Sequence, residues 1–110
     1  IDLNSILTGE LRVERRNGLA YCDLSLINEG NTEALFITVE LLFEIEEEGT
    51  WLEFERVKLV SFEDEFSLVP GASTKLSAEI PAKGKIRVTA DISSINSDSV
   101  RLVCIYEGGF

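Results

Sequence analysis

ALFITVELLFEIE, residues Ala34–Glu46, is the stretch whose reading decides the fold. Leu35, Ile37, Val39, Leu41, Phe43 and Ile45 fall on every second position. A strand points alternate side chains to opposite faces, so these residues share one buried face. Thr38, Glu40, Glu44 and Glu46 fall on the other. A helix would align Glu40 with Glu44 but scatter the apolar residues around its axis. The stretch therefore reads as a long, half-buried central strand.

The same alternation recurs on both sides. Upstream, Leu11 and Val13 mark a first strand over Glu10–Arg15, and Asn17-Gly18 supplies the positive φ of a tight hairpin. Ala20, Cys22, Leu24 and Leu26 form the apolar face of a second strand. Downstream of the central strand, Glu46–Thr50 makes an acidic hairpin. In Trp51–Phe62 the apolar parity changes between Phe54 and Val57, which calls for a bulge near Arg56 or a switch of sheet. Pro70-Gly71 suits a type II turn. Thr74, Leu76, Ala78 and Ile80 mark the next strand, and Ile86, Val88, Ala90 and Ile92 the one after it. Ser93–Ser99 reads as a polar loop with Ile95 tucked beneath it, and Val100–Tyr106 as the last strand. Seven or eight such strands and no helical period make an all-β, antiparallel two-sheet sandwich of immunoglobulin-like topology. Residues 1–8 read as a tether or short turn, and 9–110 as one domain.

Composition narrows the function. A chain of 110 residues buries a core without staples. The net charge of −10 argues against nucleic acid and anionic membrane surfaces, which are bound through Lys and Arg. No apolar run is long enough to span a bilayer, so no direct membrane insertion is expected. With no histidine, Ser-His-Asp and Cys-His catalysis are excluded, as are His-ligated metals, and no Gly-rich phosphate loop occurs. Every pair of carboxylates lies on a flat strand or an exposed tip, so the chain reads as a non-enzyme without cofactors. It opens on Ile1 and contains no methionine, which reads as a trimmed or processed chain from which a leader or anchor could have been removed.

Ile27-Asn28-Glu29-Gly30-Asn31 and Leu68-Val69-Pro70-Gly71-Ala72-Ser73 resemble the turns of adhesion-type immunoglobulin-like domains on archaeal and bacterial cell surfaces. The same pair resembles turns in the soluble domains of archaeal surface-filament proteins, including archaellum accessory proteins. That resemblance implies a soluble domain of a cell-surface or membrane-anchored protein, in the envelope or outside the cell.

Three groups of residues are candidates for function. Cys22 and Cys104 both lie on apolar parities and read either as core thiols or as a disulfide. Glu44, Glu46, Glu47, Glu48, Glu53 and Glu55 gather on one hairpin as an acidic tip. A basic protein partner suits it better than calcium, which wants loop oxygens in a more regular array. Phe36, Leu42, Val103 and Ile105 lie outward on strands that share a sheet in immunoglobulin-like topology, with Lys85 and Arg87 between them facing Glu40 and Glu44. An apolar patch with a charged rim marks an interaction surface, for another protein or for self-association. The alternatives are a calcium- or carbohydrate-binding module, using Trp51, Tyr21 and Tyr106 for sugars, and a cytoplasmic scaffold.

Overall fold

Seven strands carry the chain in a computed structural model that describes residues 3–108. They are β1 (Leu7–Arg16), β2 (Leu19–Asn28), β3 (Thr38–Glu47), β4 (Thr50–Val60), β5 (Ser73–Pro81), β6 (Ile86–Ser94) and β7 (Ser97–Tyr106). A single 3-10 turn, Phe62–Asp64, interrupts them. Every pairing is antiparallel. One sheet runs β1-β2-β5 and the other β4-β3-β6-β7. This is an immunoglobulin-like sandwich whose fourth strand has joined the sheet of the third, sixth and seventh.

The turns follow local chemistry. Asn17 (φ 54°) and Gly18 (φ 78°) close the β1–β2 hairpin, and Glu48 (φ 51°) and Gly49 (φ 82°) close β3–β4. Two consecutive left-handed residues match the twist of the strands they join. Gly71 (φ 81°) follows Pro70, and the Ala72 amide donates to the Val69 carbonyl at 3.0 Å, as in a type II turn.

The core lies between β2 on one side and β3 and β6 on the other. Leu24, Leu26, Ile37, Leu41, Phe43, Ile86 and Ile92 are fully buried. Each contributes about 1.5–3 kcal/mol relative to an exposed position. The parities of β2, β5 and β6 are those their sequences dictate.

The structure departs from the sequence reading in four places. The central strand begins at Thr38, not Ala34, and Leu35 is exposed. Ala34 instead exchanges backbone hydrogen bonds with Leu68, and the Ile37 amide donates to the Phe66 carbonyl. The chain must turn between these contacts, so Phe36 adopts a left-handed φ of 52°. That conformation costs about 1–2 kcal/mol, offset in part by its ring stacking on Phe62 at 4.7 Å.

β4 carries two bulges rather than one. The register slips between Phe43 and Glu44 and again between Val39 and Glu40, leaving Phe54 and Leu59 as the extra residues. β6 and β7 meet in a tight turn at Ile95-Asn96, so no loop covers Ile95, which is exposed. One additional residue on β7 then shifts the register between Ile92 and Ser94. Finally, the first strand starts at Leu7, and the segment before it is tied down. The amides of Asn31 and Thr32 donate to the Asn4 carbonyl, and the Glu29 amide to that of Ile6. Ile1 and Asp2 lie outside the described residues.

Asn28 holds this end of the sandwich together. It is fully buried. Its Oδ1 accepts from the amides of Ile6 (3.2 Å) and Gly30 (2.9 Å), and its Nδ2 donates to the carbonyls of Thr32 (2.8 Å) and Leu68 (2.9 Å). Gly30 is required beside it, because a Cβ there would collide with the Asn4 carbonyl. Asn28→Ala would leave the Ile6 and Gly30 amides and the Thr32 carbonyl without this partner, while the Leu68 carbonyl would keep only the Ala34 amide. It should destabilise the domain by about 3 kcal/mol or more, read from the urea midpoint. Asn28→Asp should not restore the loss, because a carboxylate cannot donate to Thr32 and Leu68.

Candidate interaction surface

The outward face of the four-stranded sheet is built in cross-strand rows. Register places Arg56, Leu42, Thr89 and Val103 in one row, and Glu53, Glu44, Arg87 and Ile105 in the next. Lys58, Glu40, Asp91 and Arg101 form a third. Val103 is 55% exposed and Ile105 54%, while Leu42 is half-buried. Leu42 and Val103 line a shallow groove whose walls are Glu44, Arg56, Arg87 and Arg101. These apolar residues sit where the alternation places them. Phe36 does not join them. It precedes β3 and stacks on Phe62 at the end of the sheet, because the left-handed turn takes it off the strand.

Ion pairs knit the rows together. Arg87 meets Glu44 through two hydrogen bonds, Nε to Oε1 at 2.8 Å and Nη2 to Oε2 at 3.0 Å. Its guanidinium also lies over the Trp51 ring, 4.6 Å from the centroid. Lys85 reaches Glu46 at 3.3 Å. Glu40 pairs with Arg56, not with Lys85 or Arg87, and Arg56 also holds Glu53. Arg101 holds Asp91 at 2.8 Å. Sequence reading missed Arg56 and the Asp91–Arg101 pair. Both depend on bulges that shift register; the parity change after Phe54 calls for a bulge near Arg56, but it does not say which residues the shifted register brings together.

The acidic tip is thereby divided. Glu44, Glu46 and Glu53 have cationic partners on the sheet, whereas Glu47 and Glu48 project into solvent at the hairpin. Glu55 lies beside the Phe54 bulge, and its carboxylate accepts from the Arg56 amide. Among the described residues, no three carboxylate or thiol groups converge closely enough to hold a metal ion. The rings singled out for sugar stacking all carry a guanidinium instead. Arg16 lies over Tyr21, Arg87 over Trp51 and Arg15 over Tyr106.

Cys22 on β2 and Cys104 on β7 both face the interior, from opposite sheets, as free thiols. Burial pushes the Cys22 thiol from 9.0 to about 12, with further contributions from Cys104 and Asp23. In the folded protein at pH 8, Cys22 should resist iodoacetamide and label only as the domain unfolds, as intact mass would show.

No known family matches the sequence, and no curated protein resembles it significantly. Solved structures do match the fold. The CARDB domain of a Pyrococcus furiosus protein, solved by NMR, superposes with a TM-score of 0.63 at 16% identity, over 96% of this chain and 96% of that one. The likeness is one of fold, an immunoglobulin-like sandwich. A crystal structure of the same CARDB domain, in complex with di-metal ions, gives a TM-score of 0.60 at 16% identity, over 99% and 97% of the two chains. An ApaA-like protein of Bordetella pertussis gives 0.59 at 15% identity, over 94% and 93%. A β-glucosidase from Listeria innocua contains a similar sandwich, with a TM-score of 0.61 at 12% identity, but this chain spans only 16% of its length. At these identities the likeness to CARDB domains is one of architecture, and no residue role passes across it. Among the described residues, no helix is long and apolar enough to cross a membrane.

The Glu44–Arg87 contact is the most enclosed ion pair on this face. The hydrogen bond from Arg87 holds the Glu44 carboxyl below its ordinary 4.5. A carboxyl lowered in the folded state stabilises above its unfolded value and loses that contribution as pH falls through its folded one. Glu44→Gln should therefore be less stable than the wild type at pH 7. The difference should close below about pH 4.5 in urea titrations run across the acid range.

Proposed function

We propose that this domain is a non-enzymatic protein-binding module, the soluble part of a cell-surface or membrane-anchored protein. The observation that carries the reading is the pair Val103 and Ile105, each more than half exposed on a flat sheet face where neighbouring charges are already neutralised by one another. Apolar surface framed by satisfied polar groups is what a partner can cover without stranding a charge. The surface location follows the resemblance of the Asn28–Asn31 and Pro70–Ser73 turns to those of adhesion-type domains. An archaeal filament or envelope protein is the specific assignment that the same resemblance favours.

A photo-crosslinking residue placed at Ile105 in the cell of origin should trap a protein partner. The same residue at Lys75, exposed on the opposite sheet, should not. Val103→Glu and Leu42→Glu should each weaken that capture by about tenfold or more. Equal crosslinking from both sheets, or none from Ile105, would overturn the assignment of this face.

A further inference from the structure

We propose that two copies of this chain pair antiparallel along β7, with Cys104 on the two-fold axis, to make one continuous eight-stranded sheet. The inference rests on the protein-binding reading but uses the edge of the strand instead of its face.

The two edges of the four-stranded sheet are treated differently. β4 is bulged at Phe54 and Leu59, and such irregularity blocks strand addition. β7 runs from Val100 to Tyr106 without a register shift against β6. Among the described residues, no backbone hydrogen bond joins its other side to β1, although the two strands lie close. Val100–Tyr106 therefore form a regular edge with no hydrogen-bonded neighbour on that side, although β1 lies beside it.

Side-chain parity allows only registers in which outward residues meet outward residues. With Val103 on the axis, Arg101 would oppose Ile105 of the second copy, a charge against an apolar chain. With Ile105 there, Val103 would oppose Glu107. With Leu102 there, Arg101 would oppose Val103. Only Cys104 on the axis matches both classes at once. Val103 then opposes Ile105, and Arg101 opposes Glu107, the residue that directly follows the end of β7, each twice by symmetry. Arg101 can make this contact while bound to Asp91 through Nε, because its other nitrogens remain available. The face around β7 also suits a like-charged copy. Despite the chain's net charge of −10, its basic and acidic residues are matched in ion pairs there.

Charge reversal tests the register. Sedimentation equilibrium of the wild type should show a monomer–dimer equilibrium. Glu107→Arg places Arg opposite Arg101, and Arg101→Glu places Glu opposite Glu107. Each should raise the dissociation constant by about tenfold or more, and the double variant should restore it. Glu107 has no side-chain partner among the described residues, so Glu107→Arg should melt as the wild type does even if loss of the Asp91 contact weakens Arg101→Glu. Leu42→Glu, which faces away from the edge, should leave the dimer intact while reducing partner capture. A wild type that stays monomeric, or a double variant no better than the single ones, would overturn the edge pairing. Capture through the face could persist in that case, which separates the two readings.

Discussion

The structure depends on one buried amide. Asn28 ends β2, and its side chain joins the N-terminal segment, its own turn and the segment before β5 through four hydrogen bonds. Its backbone continues the brace, since its amide donates to the Ala72 carbonyl and its carbonyl accepts from the Gly71 amide. At this end of the sandwich the chain crosses between sheets, so several backbone groups lose ladder partners while buried. Buried polar groups left unmatched are costly, and an amide that offers two donors and two acceptors can match several at once. The two turns that stand out in the sequence thus meet in space.

A second polar junction works in the same way nearby. Asn96 in the β6–β7 turn donates to the Glu33 carbonyl and accepts from the Leu35 amide, while its own carbonyl accepts from the Ser5 hydroxyl. Between them, Asn28 and Asn96 position the segment that enters β3. Within that segment the Ala34–Leu68 bridge and the Ile37–Phe66 hydrogen bond require the left-handed turn at Phe36, and the central strand starts only at Thr38. A side chain expected on the interaction face is consequently withdrawn to the sheet's end.

Charge is distributed unevenly over the surface. On the outer face of the larger sheet, basic and acidic side chains alternate across strands and pair off. Much of the remaining acidity is carried by hairpins and connecting segments, as at Glu47, Glu48, Glu63, Asp64 and Glu65. The net charge of the chain is thus a poor guide to the character of the face that could receive a partner. Exposed pairs of this kind add little stability individually, but they leave a neutral setting for Leu42, Val103 and Ile105.

The sequence by itself determined the strands, their inward faces and most of the turns. Alternation, Asn-Gly and Pro-Gly act within a few residues, and their effects do not depend on distant contacts. It also placed Leu42, Val103 and Ile105 outward and brought Arg87 to Glu44. The tertiary structure alone decided the rest. The parity change in β4 calls for one bulge near Arg56, but the two positions at Phe54 and Leu59, and the bulge at the start of β7, come from the pairing itself. These bulges set which side chains face one another, so Arg56 holds Glu40 and Arg101 holds Asp91. The conflict between the Ala34–Leu68 bridge and the β3 ladder removed Phe36 from the face. In each case the cause is non-local. Register and strand ends are settled by backbone hydrogen bonds between segments far apart in the chain, and those bonds leave no period in the sequence.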